Sequence, residues 1–191
     1  MRKAIEKPLY ANVIMAGFGG QGLMFIGKLL AYSAMKAGKH VTWIPSYGPE
    51  MREGTANCTV VISDGEVGSP VITSPQALIV MNNPSLQAFE PRLQPEGILF
   101  LNSSLVTHRV TRKDIEVILI PADEVAVKAG EKRAANMVML GAYVARTKVV
   151  SEENILESLR EFFAKKNQLL DANMQAFQKG TKTVKCMNTK V

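Results

Sequence analysis

The chain has 191 residues, 47% of them apolar and 21% charged, with fourteen glycines and only two cysteines. This composition excludes a disordered chain, a collagen-like repeat and a disulfide scaffold, and the length favours one domain spanning residues 1–191 with a substantial core. The net charge of +6 is concentrated at the C-terminus, where residues 165–191 carry six lysines against the single acid Asp171, so that residues 1–164 are nearly neutral.

In chain order, Asn12–Ala16 is a short apolar run that ends at glycine and reads as a buried strand. Leu23–Ala37 has helical spacing, with Leu23, Ile26, Leu30, Ala34 and Ala37 on one face and Gly38 as the stop. Further strands are predicted at Val41–Ile44, Asn57–Ser63, Leu78–Met81, Gly97–Asn102 and Val117–Ile120. These runs are apolar throughout and do not alternate, as expected of strands covered on both faces. Helices are predicted at Pro84–Arg92, Ala122–Ala129, Ala134–Arg146, Ser151–Lys165 (with Ser151 as N-cap) and Leu169–Gln178, the last stopped by Gly180. Thr181–Val191 reads as a frayed tail. The predicted fold is α/β: a single-domain, mainly parallel open sheet with helices on both faces and a helical C-terminal part.

The strongest local feature is the segment between the first strand and the first helix, Gly17-Phe18-Gly19-Gly20-Gln21-Gly22. Its spacing is that of G-x-G-x-x-G, which lets backbone approach an anion at a helix N-terminus. The same glycines would equally allow the helix to pack close against the strand. A dinucleotide fingerprint also needs an acid at the end of the second strand. Here that strand ends Trp43-Ile44-Pro45-Ser46 and the nearest acid is Glu50, which counts against NAD. The second feature is the segment Pro45–Ala56, at the carboxyl end of the second strand, where α/β sheets place their sites. Ser46, Tyr47, Glu50, Arg52 and Thr55 make it a candidate binding loop; the alternative is a surface loop in which Arg52 pairs with Glu50 or Glu53.

No catalyst is evident. His40 and His108 stand in no metal or triad spacing, and neither a nucleophile elbow nor a Walker lysine is present. Cys58 and Cys186 cannot supply the four ligands of an iron–sulfur cluster, and reduced thiols fit a cytoplasmic protein. The N-terminal residues do not read as a signal peptide. The most apolar stretch, Val13–Gly27, is broken by glycines and Gln21, so no membrane span is expected. No aromatic residues interleave the C-terminal lysines, which argues against nucleic acid as a partner. A binding loop without a catalyst points to a subunit that works with others.

Taken together, Gly17–Gly22 opening a helix, Ser46–Asn57 leading into Cys58–Ser63, Ile72 with Ser74-Pro75, and Asn136–Gly141 resemble the gamma subunit of 2-oxoacid:ferredoxin oxidoreductases from about residue 11 to about residue 180. The resemblance implies a subunit of an enzyme that converts a 2-oxoacid, coenzyme A and oxidised ferredoxin to acyl-CoA, carbon dioxide and reduced ferredoxin. The isolated chain would be inactive. It also implies thiamine diphosphate and iron–sulfur clusters in alpha, beta and delta-type partner chains, and coenzyme A at the interface with this one. The family's glycine loop corresponds to Gly17, Gly19, Gly20, Gln21 and Gly22, and its second motif to Ser46–Thr55, with Glu53 standing where relatives often have glycine. The Ser46–Glu50 fragment resembles the 2-oxoglutarate branch, and the branched-chain 2-oxoacid branch is similar. Alternatives are an indolepyruvate oxidoreductase subunit or an independent nucleotide-binding oxidoreductase. A chain that normally sits among other subunits should expose an apolar face, through which it would form a homodimer when expressed alone.

Overall fold

A computed structural model describes residues 8–47, 55–164 and 167–187. Six strands form one sheet: β1 (Tyr10–Phe18), β2 (His40–Tyr47), β3 (Thr55–Ser63), β4 (Ala77–Val80), β5 (Ile98–Asn102) and β6 (Glu116–Ile120). Their order is β2-β3-β1-β4-β5-β6. β1, β4, β5 and β6 run parallel, while β3 is antiparallel to both β1 and β2. Chain length accounts for that reversal. Only residues 48–54 separate β2 from β3, and a crossover to a parallel neighbour needs a dozen residues or more. The sheet is therefore mixed but mostly parallel.

The helices are α1 (Leu23–Lys36), α2 (Asn83–Phe89), α3 (Ala122–Lys128), α4 (Ala135–Thr147), α5 (Glu152–Phe162) and α6 (Asn167–Met187). One sheet face carries Val13, Met15, Cys58, Val60, Ile79 and Phe100, and packs into a core with Ile26 and Leu30 of α1, Met137 and Tyr143 of α4, and Phe177 of α6. The other face carries Ile14, Ala16, Leu78, Val80, Leu99 and Leu101. It is covered by Leu86 and Phe89 of α2, Leu93, and Val106 in the connection to β6. A buried carboxylate holds that connection down: Glu90 Oε1 accepts from Thr111 N (2.7 Å), Thr111 Oγ1 (2.8 Å) and Arg112 N (2.9 Å).

The predicted N-cap is present, with Ser151 Oγ accepting from Asn154 N at 3.1 Å. Two expectations need correction. Gly180 does not stop a helix and residues 181–187 are not a frayed tail, because α6 runs through both. Thr181 and Val184 are 2% exposed. A Cβ on Gly180 would meet the backbone of Val138, and one on Gly141 the backbone of Phe177. The two glycines thus let α4 and α6 cross at close range, and this tertiary contact offsets the poor helix propensity of glycine. The basic residues of the segment lie on a packed helix: Lys185 pairs with Glu152 (2.8 Å) and Lys179 Nζ donates to Lys128 O. Residues 188–191 lie outside the described part.

Candidate functional site

The site is built at the carboxyl end of β1. After Phe18 the chain turns so that Gln21 N donates to Phe18 O (3.2 Å), while Gln21 Oε1 accepts from Phe18 N (2.7 Å). Gln21 Nε2 reaches Met81 O at 3.5 Å on the neighbouring strand end. The Gln21 amide therefore braces the loop against β4. Gly17 leaves room for this brace, since a Cβ there would strike Gln21 Oε1 and lie 2.9 Å from Met81 Cβ. Gly22 is the N-cap of α1, with φ 73°, a left-handed backbone that side-chain-bearing residues rarely adopt. A Cβ at Gly22 would also strike the Asn136 amide, whose Nδ2 donates to Gly22 O at 3.1 Å. No side chain caps α1 and no acid stands in its first turn. Its first amides and dipole are therefore not neutralised by a side chain of the helix's own first turn.

The sheet register brings the second motif to the same place. Gly17 pairs with Ala56, which pairs in turn with Tyr47; Phe18 pairs with Thr55, and Ser46 with Asn57. The polar segment thus begins and ends in strands. Pro45, Ser46 and Tyr47 belong to β2, and Thr55 and Ala56 to β3, so the predicted Pro45–Ala56 loop is strand at both of its ends. Pro45 is tolerated because β2 is an edge strand. Ser46 is exposed, as are Phe18 and Gly20, whereas Gly19, Gln21 and Gly22 are half-buried. Glu50 and Arg52 lie outside the described residues. The strand order reverses between β1 and β4: α1 leads from β1 toward β2 on one face, and α2 leads from β4 toward β5 on the other. Open α/β sheets bind ligands at such a switch point.

Three asparagines at this edge complete the frame. Asn82 Oδ1 caps α2 by accepting from Ser85 N at 2.8 Å. Asn102 Oδ1, at the end of β5, accepts from Ser104 N and Ala122 N, while its Nδ2 donates to Asp123 at 2.7 Å. Asn136 joins α4 to the glycine loop. Asn82 and Asn102 were missed by the sequence reading, although an asparagine directly after an apolar strand is a readable turn signal. His40 and His108 are both exposed; His108 Nδ1 lies 3.1 Å from Gln87 Nε2. Cys58 is buried behind α1 with its Sγ donating to Leu23 O at 3.4 Å, and burial pushes its thiol up to about 12. Among the described residues no three His, Cys, Asp or Glu side chains gather as metal ligands, and no helix is long and apolar enough to cross a membrane.

A family profile described as pyruvate ferredoxin/flavodoxin oxidoreductase matches residues 12–183. The ketoisovalerate oxidoreductase subunit VorA of Methanothermobacter thermautotrophicus is 39% identical over 170 residues, 88% of this chain and 35% of the relative. The chain thus spans about a third of that protein's length. The 2-oxoglutarate synthase subunit KorC of Methanothermobacter marburgensis is 33% identical over 180 residues, covering 91% of this chain and 96% of that one. Among solved structures, the gamma subunit of a keto/oxoacid ferredoxin oxidoreductase from Geobacter sulfurreducens superposes with TM-score 0.80 at 29% identity, covering 92% and 99% of the two chains. The 2-oxoglutarate:ferredoxin oxidoreductase from Magnetococcus marinus, with 2-oxoglutarate, coenzyme A and succinyl-CoA bound, shares the fold at TM-score 0.86 and 23% identity over 95% of this chain and 32% of that one.

Proposed function

The chain belongs to the pyruvate ferredoxin/flavodoxin oxidoreductase family, and on that premise we propose that it is the gamma-type subunit of a cytoplasmic 2-oxoacid:ferredoxin oxidoreductase. The assembled enzyme converts a 2-oxoacid, coenzyme A and oxidised ferredoxin into acyl-CoA, carbon dioxide and reduced ferredoxin. Thiamine diphosphate and the iron–sulfur clusters reside in the alpha, beta and delta-type chains, and those chains select the 2-oxoacid. This chain serves 2-oxoglutarate or a branched-chain 2-oxoacid, the substrates in the names of KorC and VorA.

The observation that carries this reading is the row Gly17–Ala56–Tyr47, which sets the glycine loop and the Ser46–Thr55 segment side by side at the switch point. Together they form one rim of the shared active site. The uncapped, acid-free N-terminus of α1 suits the pyrophosphate of coenzyme A. Gly17, Gly19, Gly20 and Gly22 bring backbone close to it, Gln21 holds the loop, and Ser46, Tyr47, Glu50, Arg52 and Thr55 supply polar contacts. Binding on this side needs no catalytic side chain from the chain itself.

Co-purification tests the assembly: the tagged chain should bring down partner chains containing thiamine diphosphate and showing iron–sulfur absorbance. In the assembled enzyme, Arg52→Ala should raise the KM for coenzyme A about tenfold, the order expected for one charge-assisted contact, with the KM for the 2-oxoacid unchanged. An unchanged KM for coenzyme A would remove this chain from that site, and a colourless chain without partners would remove the subunit reading itself.

A further inference from the structure

The outer edge of β6 is where the sheet ends, with no strand beyond it among the described residues. Glu116 N donates inward to Gly97 O (2.9 Å), and Ile120 O accepts from Ser103 N (2.8 Å). In a parallel ladder the inward bonds fall on alternate residues, so the N–H and C=O of Val117 and Leu119 point away from β5. The side chains of those two residues are 37% and 50% exposed, whereas Ile118 and Ile120 between and after them are 7% and 0% exposed. An unpaired main-chain edge and two exposed aliphatic side chains therefore coincide on five residues. The strand contains no lysine, proline or bulge, and its one charged side chain, Glu116, is held by Arg146 at 2.6 Å.

Charge complementarity identifies the occupant. Lys113, just before β6, is exposed, and so is Glu124 in the first turn of α3, just after it. Neither forms an ion pair among the described residues; the nearby Arg112 is already held by Asp114 at 2.5 Å. The strand thus enters from a cation and leaves to an anion. We propose that β6 is a docking edge for a second copy of this chain, with the two strands antiparallel about a two-fold axis at Ile118. Val117 then lies beside Leu119 of the second copy, and Leu119 beside its Val117. The cationic entry of each strand meets the anionic exit of the other at both ends. An isologous contact of this kind closes at two copies and leaves no β6 edge open. An arbitrary strand could satisfy the backbone, and an antiparallel copy matches both flanks as well. The pairing is independent of the reaction catalysed, because the glycine loop follows β1, three strands away in the sheet order.

Sedimentation equilibrium of the full chain tests the proposal, with circular dichroism to confirm folding of each variant. The native chain should be a dimer. Leu119→Lys, at an exposed position, should raise the dimer dissociation constant about a hundredfold, since it sets two buried charges against the partner's aliphatic residues. Lys113→Glu should raise it about tenfold by turning both end pairs repulsive, and adding Glu124→Lys should restore it. A native chain that is monomeric at high micromolar concentration would overturn the proposal. So would a dimer indifferent to Leu119→Lys, or a charge swap that restores nothing. If Leu119→Lys left the isolated chain's state unchanged but abolished co-purification of the other subunits, the edge would belong to a partner's strand and the second-copy reading would fall.

Discussion

The two faces of the sheet are covered unequally. Against one lie α1 and α4, backed by α3, α5 and α6, and its core continues without a break from Met15 to Val184. Among the described residues, the other is covered only by the seven-residue α2 and connecting segments. The exposed apolar residues of the strands all fall on this second face: Tyr10 and Phe18 on β1, Ile44 on β2, and Val117 and Leu119 on β6. Their positions alternate with residues buried in the first core, such as Met15, Ile118 and Ile120, or packed against it, such as Trp43. Packing is therefore concentrated on one side, and the exposed apolar strand residues lie on the other.

The same side chain can probe both faces. Phe100 is fully buried in the first core, with Tyr143 packed edge-on at 5.6 Å, whereas Phe89 in the second has the Arg92 guanidinium 5.1 Å above its ring and retains 7% exposure. We expect Phe100→Ala to cost about 4 kcal/mol and Phe89→Ala about 2 kcal/mol, because the site around Phe89 can collapse more readily. Equal losses in chemical denaturation would break the contrast. Next in size is Gly22→Val. It combines a left-handed φ with a clash against Asn136, which ties the loop to α4. About 3 kcal/mol should be lost, with loss of co-purifying partners. Gly20→Val should cost about 1 kcal/mol, since Gly20 has φ 93° but open space around its Cβ position. The reverse ranking would show that strain, not the approach to Asn136, dominates the loop.

Cys58 provides a smaller effect with a definite sign. Its folded value of about 12 lies above the ordinary value of 9.0, because burial disfavours the thiolate. The unfolded state therefore releases its proton first, and stability falls as the pH rises from about 9 toward about 12. Cys58→Ala should flatten that alkaline decline, measured as denaturation midpoints against pH, and the native thiol should resist modification at neutral pH. An unchanged slope would place the burial elsewhere. The smallest effect is expected on the open face, where Ile44→Thr should change stability by no more than about 0.5 kcal/mol. A loss above 1 kcal/mol would show that the exposed strand residues of the second face are packed after all.

Most elements were legible because their cause is local. Apolar runs bounded by glycine, proline or aspartate marked all six strands, and helical spacing marked α1 and α4. Boundaries were less legible where a neighbouring strand extends the ladder. Pro45, Ser46 and Tyr47 are polar or helix-breaking by composition, yet β3 holds them in a strand. The candidate site was readable as two motifs but not as one place. The sequence does not show that the Gln21 amide is engaged with Phe18 and Met81 and so braces the glycine loop. Asn82 and Asn102 carry a local turn signal in the sequence, through Ser85 N and Ser104 N, but the reach of Asn102 to Ala122 and Asp123 depends on where the chain returns after β6.

By itself the sequence determined the α/β class, the glycine loop before α1 and the kinship carried by the paired motifs. These follow from periodicity, turn chemistry and residue type, which act over a few residues. Tertiary structure decided the rest. It reversed β3, because seven residues are too few for a crossover. It carried α6 through Gly180, because α4 approaches too closely for any Cβ. It also aligned Gly17 with Tyr47 across Ala56. Each outcome depends on which distant segment lies alongside, a choice made by packing and backbone pairing across the whole sheet, beyond the reach of local propensity.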